Sequence, residues 1–247
     1  MADRAKRWEG RVRMGLGWGE FVGVTGDNAP HRHYAVQVLL SERPQPLWTA
    51  VSDSQRVCGA VIGPTLAHQL GSNGHPVHLL YVEPYSDAGR CLMAGLVDGL
   101  RVLTPEVCEA ARQAMTAGQS PLLGLVELLA PSTETVRSER IDHAIEAWIA
   151  ALPPTLPERL TAAVCARQLG LSSSRFLHRF RAHTGLPLRP YLRWRRLLDA
   201  LSLVMQGASL TEAAHAAGFA DSAHFTRTFR RHFGLAPRAL AGMRPLP

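Results

Sequence analysis

The chain has 247 residues and a formal net charge of +7, with 27 Lys and Arg against 20 Asp and Glu. Its hydrophobic content of 46% is sufficient for packed cores, which excludes a wholly disordered chain. No run approaches the ~20 apolar residues of a membrane span, and the N-terminus lacks the apolar centre of a signal peptide, so we expect a cytoplasmic protein with no membrane partner.

The excess of positive charge lies in the C-terminal part of the chain. From residue 138 onward there are 15 Arg and no Lys against 7 Asp or Glu, a net charge of +8. Residues 1–137 contain 12 basic and 13 acidic side chains, a net charge of −1. An excess that is restricted to one region indicates a polyanionic partner for that region.

The N-terminal half contains short β-rich runs, "YAVQVLLS", "LWTAVS", "RVCGAVIG" and "VHLLYVE", which are separated by Pro, Gly, Asn and Ser. This pattern predicts an antiparallel β-barrel. Two helices are predicted to follow the strands. Thr104 is the N-cap of the first helix and Pro105 its first residue, and Ser120 and Pro121 have the same roles in the second.

A polar segment separates the two halves. The run "APSTETVRSE", residues 130–139, contains a proline and lacks helical periodicity, which is typical of a linker. The sequence therefore predicts an N-terminal domain over residues 1–130, a linker over 131–139 and a basic, all-α domain over 140–247. The predicted fold class of the whole chain is α+β.

The C-terminal domain contains a degenerate repeat. The run "ARQLG" at 166–170 is echoed by "AHAAG" at 214–218, and "FRAHTG" at 180–185 is echoed by "FRRHFG" at 229–234. Each copy predicts a helix, a turn and a second helix, because Ala allows close approach and Gly accepts a positive φ. A capping box from Ser209 to Glu212 marks the start of the second copy. Two helix-turn-helix units in a basic domain indicate DNA binding.

The second helix of each unit is predicted to bury phenylalanines and to expose a cationic face. Phe225, Phe229 and Phe233 share one side of a helix at about 100° per residue, and they are expected to anchor it to its own core. Phe176 and Phe180 have this role in the first copy. Between the copies, "LPLRPYLRWRRLLDALSLVMQG" predicts a long helix that holds the units about one DNA turn, roughly 34 Å, apart. The side chains expected to face the two units are Tyr191, Trp194, Leu198, Leu201 and Met205.

This region resembles the AraC/XylS transcription regulators over about residues 138–247. The resemblance rests on "ARQLGLSSSRFLHRFRAHTG", on "YLRWRRLLDA" with Tyr191, Arg196 and Ala200 in family positions, and on "EAAHAAGFADSAHFTRTFRRHFGLAP". It implies a seven-helix DNA-binding domain whose first helix is "RIDHAIEAWIAAL", residues 140–152. It also implies double-stranded promoter DNA and RNA polymerase as partners.

The resemblance also implies which side chains contact DNA. Leu177 and Ala223 depart from the polar residues often found at their positions, although either can touch a thymine methyl group. By family position, the base-facing candidates are Ser174, Leu177, His178, Ser222, Ala223, His224 and Arg227. The other candidates for DNA contact are Arg175, Arg179, Thr226, Arg230 and Arg231.

In this regulator family, the predicted N-terminal strands and helices resemble a cupin-like sensor barrel followed by helices that often form a homodimer. A second interpretation is that the two helices only cover the barrel. The sequence leaves both interpretations open.

Three histidines resemble the cupin metal motif, which is HxH-x3-Glu followed by a later His. They are His31, His33 and His68, and Gln37 stands where the motif has its glutamate. Three neutral imidazoles can hold a divalent ion, which is the one cofactor that the sequence suggests. The alternatives are hydrogen-bonding histidines at the start of a strand, or a pocket for an organic effector. His75 and His78 are close enough in sequence to contribute.

These features predict a sequence-specific DNA-binding transcription regulator that is controlled by a signal sensed in the N-terminal domain. No nucleophile triad, phosphate loop or carboxylate pair indicates an enzyme. One alternative is a cupin metalloenzyme fused to a DNA-binding module, which would turn over a small molecule. Another is an architectural DNA-binding protein, whose binding would be insensitive to every ligand.

Overall fold

The computed structural model describes residues 7–15, 17–117, 121–129, 141–153, 155–157 and 159–246. Their packing forms two compact units, and the division falls between Thr228 and Phe229. Unit one contains the described residues up to 129 together with 229–246, and unit two contains those from 141 to 228. The predicted linker over 131–139 and the cap Ser120 lie outside the described residues, so the predicted domain limits stay a prediction. No helix in the described part of the chain is long and apolar enough to cross a membrane.

Unit one is built from a sheet and three helices. Its strands are β1 (Glu9–Gly15), β2 (Trp18–Val24), β3 (Val36–Thr49), β4 (Ser52–Ile62), β5 (His68–Leu70), β6 (Pro76–Val82), β7 (Leu100–Val102) and β8 (Met243–Pro245). Its helices are α1 (Asp87–Met93), α2 (Pro105–Ala117) and α3 (Pro121–Leu129). Strands β1 and β2 were not predicted from the sequence, because glycine-rich runs carry a weak strand signal. Strand β3 was predicted as two separate strands.

The strands pair in the order β7-β4-β3-β6-β2-β1-β8, and β5 pairs with β3. The pairs among β1 to β7 are antiparallel, as predicted. The register of β3 against β4 shifts between Leu40 and Gln45, where a β-bulge bends the long strand. Closure into a barrel is not confirmed, because the ladder of the described strands ends at β7 and β8, which have three residues each and do not pair with each other.

Both faces of the sheet are packed. Successive side chains of a strand point to opposite faces, so Val38 and Leu40 face one core and Leu39 faces the other. The first core is covered by α1 to α3, which bury Leu92, Ala111, Met115, Leu125 and Leu129. The predicted N-terminal helices therefore cover the sheet with their apolar faces, whereas Leu128 of α3 remains 41% exposed.

The last residues of the chain pack on the second core of unit one. A short 3-10 helix (Pro237–Gly242) leads to β8, which pairs in parallel with β1 and places Gly10 opposite Met243. Ala239 and Met243 contact the apolar residues of this core. The predicted C-terminal domain is thus not helical throughout, because its final strand completes a β-ladder of the N-terminal sheet.

Unit two is helical in its described residues. Its helices are α4 (His143–Ala150), α5 (Ala162–Gln168), α6 (Ser173–Thr184), α7 (Leu188–Met205), α8 (Leu210–Ala216) and the first part of α9 (Ser222–Phe233). The predicted capping box is confirmed, since Ser209 and Glu212 each accept the other's backbone N–H. In α7, Tyr191, Trp194 and Leu201 are buried as predicted, but the fully buried leucine is Leu197 and not Leu198.

Candidate nucleic-acid interface and histidine cluster

Helix α6 is the second helix of the first helix-turn-helix unit. Gly170 adopts φ +63° in the turn before it, a conformation that suits glycine, and the Ser172 side chain caps it by accepting the N–H of Arg175 at 3.3 Å. Phe176 and Phe180 are fully buried and pack edge-on against Trp148 of α4. The opposite side of α6 is therefore directed to solvent.

The exposed side of α6 presents most of the side chains predicted to contact DNA. Ser174, Arg175 and His178 are exposed, and Leu177 is 40% exposed. Arg179 is different, because its guanidinium forms two hydrogen bonds with the Asp142 carboxylate. Its predicted contact with DNA would have to compete with this ion pair.

Helix α9 has the same construction in the second unit. Gly218 adopts φ +77° in the turn, and Asp221 caps the helix by accepting the N–H of His224 at 2.5 Å. Phe225 and Phe229 are buried, as predicted. Among the predicted DNA contacts, the exposed side chains are Ala223, Arg227, Arg230 and Arg231, and the partly buried ones are Ser222, His224 and Thr226.

Phe233, the third phenylalanine of α9, packs on Phe229 of its own helix, with ring centroids 4.7 Å apart, and also on other residues of unit one. Its ring centroid lies 6.1 Å from that of Tyr81 and 6.4 Å from that of His33, both in unit one. The helical period of 3.6 residues correctly predicted which side of α9 is apolar. It did not predict the surface against which that side packs.

A cationic cavity beside His224 was not predicted from the sequence. It has a volume of about 440 Å³, and Phe219 and Thr161 form part of its wall. Arginines spaced four and three residues apart on α7 give this helix a basic face, and this spacing is the signal in the sequence that could have indicated the cavity. The arginines that line the cavity are Arg159, Arg189, Arg193 and Arg196.

The structure brings together His31, His33 and His68. The backbones of His31 and His68 exchange two hydrogen bonds of 2.9 Å, which place these residues side by side. One ring nitrogen from each of the three histidines lies within 4.8 Å of the other two. His33 and His68 are each 1% exposed, whereas His31 is partly exposed. We call these three residues and Gln37 the histidine cluster.

The hydrogen bonds of the histidine cluster fix where its lone pairs point. The Nδ1 atoms of His31, His33 and His68 lie 2.9, 3.0 and 2.9 Å from backbone carbonyl oxygens. A neutral ring in this setting carries its proton on Nδ1, so Nε2 offers a lone pair. Gln37 Oε1 lies 2.8 Å from Nε2 of His33 and 3.1 Å from Nε2 of His68.

Burial keeps these rings neutral. It lowers the pKa of His33 well below its usual value, and the charges of His68 and His31 lower it further. Burial also lowers the pKa of His68 to about 4 and that of His31 below its usual value. Neutral imidazoles whose Nδ1–H groups are held by carbonyl oxygens have the arrangement found in metal-binding histidines.

The two other histidines considered for this site lie elsewhere. His78 hydrogen-bonds to the Glu20 carboxylate on the neighbouring strand. The exposed His75 lies in a turn in which its backbone N–H donates to Asn73. Neither belongs to the group of potential metal ligands that the described residues form.

Comparison with known proteins identifies the kind of domain that the C-terminal region forms. A helix-turn-helix domain family matches residues 165–242. The HTH-type transcriptional activator RhaS of Pectobacterium carotovorum is 33% identical over 151 residues, which are 60% of this chain and 54% of that protein. RhaS of Escherichia fergusonii is 38% identical over 104 residues, or 41% of this chain and 37% of that protein. The C-terminal region is an AraC-type helix-turn-helix domain.

The AraC-type domain confirms the predicted resemblance to AraC/XylS regulators. The chain spans about half the length of these curated relatives or less. Two solved structures resemble this chain in fold. The structure of ToxT from Vibrio cholerae O395 covers 90% of this chain and 96% of its own, with a TM-score of 0.54 and 12% identity. ToxT of strain SCE256 gives a TM-score of 0.55 and 11% identity over 90% of this chain and 94% of its own.

Proposed function

We propose that this protein is a transcription regulator that binds promoter DNA in a sequence-specific manner through α6 and α9. The observation that carries the proposal is that both helices follow a glycine turn and present cationic side chains opposite buried phenylalanines. Arg175 on α6 and Arg227 on α9 are both exposed. In helix-turn-helix proteins, this face of the second helix enters the major groove. The curated relatives that share the AraC-type domain are transcriptional activators by name, which supports the same function.

Selection of duplexes from a random pool by the full-length protein tests this proposal. We expect one enriched sequence, and an affinity that falls with salt with a log–log slope of about −0.9 per phosphate contact. Arg175→Ala and Arg227→Ala should each weaken binding to the selected duplex. Arg43→Ala, which removes one exposed charge from unit one, should not. Failure to enrich any sequence, or equal losses in all three variants, would contradict the proposal.

We also propose that unit one is a sensor and that the histidine cluster binds a divalent cation. Imidazole nitrogens are ligands that suit Zn²⁺ and similar ions, and the amide oxygen of Gln37 can complete the set. Ligand atoms about 2.1 Å from one ion lie about 3.0–3.4 Å apart. The separations of 2.8 and 3.1 Å between Gln37 Oε1 and the Nε2 atoms are close to this range. Without an ion, the Gln37 amide turns its NH2 group toward the Nε2 atoms of His33 and His68 and donates a hydrogen bond to the lone pair of each.

Metal analysis of protein purified without chelator tests the cation site. We expect about one divalent ion per chain, bound again after removal and dialysis against Zn²⁺. The double variant His31→Ala, His33→Ala should lose the ion, and His75→Ala, which alters a histidine outside the cluster, should keep it. If the wild-type protein binds no ion, the site is instead a pocket for an organic effector or a hydrogen-bonded cluster.

A sensor is favoured over a metalloenzyme for unit one, because the curated relatives of this chain are named as regulators. We propose RNA polymerase as a further partner of the AraC-type domain. We also propose that two copies form a homodimer through the outer surface of α2 and α3, where Leu128 is exposed. Turnover of a small molecule by the purified protein would instead support the metalloenzyme.

A further inference from the structure

The last turn of α9 and the residues after it contact the segment that carries the first two histidines of the cluster. We call residues 232–246 the C-terminal strap. Ala29 N–H donates to Gly234 O at 2.8 Å, and the His232 Nδ1 atom lies 3.1 Å from Arg32 O. His232 is 7% exposed, and its ring also packs against that of Tyr34. Segment 29–34 is thus in contact with the end of a predicted DNA-reading helix.

The closest approach is between Gly234 and His31. A Cβ atom on Gly234 would lie 2.7 Å from His31 Nδ1 and 2.3 Å from Ala29 O, and Gly234 adopts φ +71°. Only glycine fits this position without displacing its neighbours. The backbone at the end of α9 therefore lies directly against a ring of the histidine cluster.

The rest of the strap is held by the sheet. Strand β8 pairs with β1, and Leu246 N–H donates to Val12 O at 2.8 Å. Leu235 and Met243 pack on the second core of unit one. The strap is consequently held at both of its ends. Because α9 continues into the strap, a displacement of segment 29–34 also displaces the end of α9.

Cation binding requires such a shift. Rings bound through Nε2 to one ion have centroids about 4.5–5.2 Å apart, given a nitrogen–ion distance of about 2.1 Å. The centroids of His31 and His68 are 4.4 Å apart and those of His33 and His68 are 5.0 Å apart, but those of His31 and His33 are 5.9 Å apart. Coordination therefore requires the rings of His31 and His33 to approach each other, and His31 is the ring that lies against Gly234.

We propose that a divalent cation in the histidine cluster regulates DNA binding by moving the last turn of α9 through the C-terminal strap. This inference rests on the proposed function, since it requires both a cation site and a DNA-binding face on α9. A coupling of this kind is reciprocal: if the cation changes the affinity for DNA by some factor, DNA changes the affinity for the cation by the same factor.

The test measures both affinities on the full-length protein. The Kd for the selected duplex is measured with and without Zn²⁺, and the Kd for Zn²⁺ is measured by competition with a chromophoric chelator, with and without the duplex. We expect the two factors to agree and to lie within about 5–150-fold, the usual range of allosteric coupling. If the protein binds both Zn²⁺ and DNA but each changes the affinity for the other by less than about twofold, the proposed coupling is wrong and the proposed function stands. A protein that does not bind DNA overturns the proposed function as well.

Two variants locate the coupling in the strap. Phe233→Leu keeps an apolar side chain but removes the ring beside His33, and Gly234→Ala forces His31 and Ala29 apart from the strap. Each should still bind Zn²⁺ and DNA, with a coupling factor reduced toward one. Arg238→Ala, an exposed change within the strap, should retain the full factor. If both Phe233→Leu and Gly234→Ala retain the full coupling factor, the strap does not transmit the coupling. The measurement on the wild-type protein remains valid even if one variant fails to fold.

Discussion

Arg179 of α6 and Asp142 at the start of α4 form a bidentate ion pair, with Nε and Nη2 each 2.6 Å from a carboxylate oxygen. The same carboxylate caps α4 by accepting the N–H of Ile145 at 3.2 Å. One side chain thus stabilises the first helix of unit two and fixes the position of α6 relative to it. Arg179 is therefore a positioning residue in addition to a candidate DNA contact.

Substitution of Asp142 should separate its two roles. Asp142→Ala removes the cap and should lower the free energy of unfolding by about 1 kcal/mol, whereas Asp142→Asn keeps a capping side chain and should lower it less. Hydrogen bonds from Arg179 hold the pKa of Asp142 below its usual value, so the charged cap persists until the pH falls through that lowered pKa. Urea unfolding followed by circular dichroism measures the difference, and equal losses in the two variants would contradict the capping role.

Arg227 and Arg231 should differ in what their loss does to DNA recognition. Arg227 lies in the middle of α9 and is expected to bond a guanine, so Arg227→Ala should cost about 1–3 kcal/mol and relax the preference at one base pair. Arg231 lies one turn further along and is expected to meet phosphate, so Arg231→Ala should weaken binding to every sequence nearly equally. Affinities for the selected duplex and its single-base variants measure both effects. Identical profiles for the two variants would contradict the placement of α9 in the groove.

Glu20 should stabilise unit one in a defined range of pH. Burial acts to raise the pKa of Glu20, but hydrogen bonds from His78 and Arg13 outweigh it and lower the pKa. A carboxyl group with a lowered pKa in the folded state contributes stability above its unfolded value, and this contribution is lost as the pH falls through the folded value. Glu20→Gln should therefore cost about 1–3 kcal/mol near neutral pH and little in acid.

Tryptophan fluorescence during urea unfolding, at about pH 7 and at about pH 3, measures the Glu20 effect. The control is Glu9→Gln on β1, which alters an exposed carboxylate. A Glu20→Gln variant that is destabilised by the same amount at both pH values would show that the side chain acts by packing and not by charge.

Asp199 of α7 should have the opposite dependence on pH. Burial raises the pKa of Asp199 to about 6, although Arg195 and Arg196 partly oppose this shift. In the described part of the chain, no hydrogen-bond donor reaches its Oδ2 atom. Because the folded state holds the proton more tightly than the unfolded state, stability is lost as the pH rises from about 4 through about 6.

Asp199→Asn should remove this loss. The variant should gain stability relative to the wild type across that range of pH, by on the order of 1 kcal/mol after allowance for screening by solvent. Circular dichroism during urea unfolding gives the comparison, with Asp53→Asn on the exposed part of β4 as the control. A difference between Asp199→Asn and the wild type that does not change with pH would contradict the raised pKa.

The helix-turn-helix units, their caps and their buried phenylalanines were predictable from the sequence alone. Ser209 and Glu212 lie three residues apart, and Phe225 and Phe229 lie four apart, so the geometry of one helix determines how each pair is arranged. Glycine at the turns has a similarly local cause, since residues with a Cβ rarely adopt the positive φ of Gly170 and Gly218.

The contacts at the ends and on the faces of these elements depend on long-range packing and were not predictable from local patterns. Whether His68 would lie beside His31 depended on how distant segments pair, and no local pattern encodes that pairing. His232 meets the carbonyl of Arg32 across 200 positions of sequence. Periodicity gives the buried side of a helix, but the surface that buries it is determined by the packing of the whole chain.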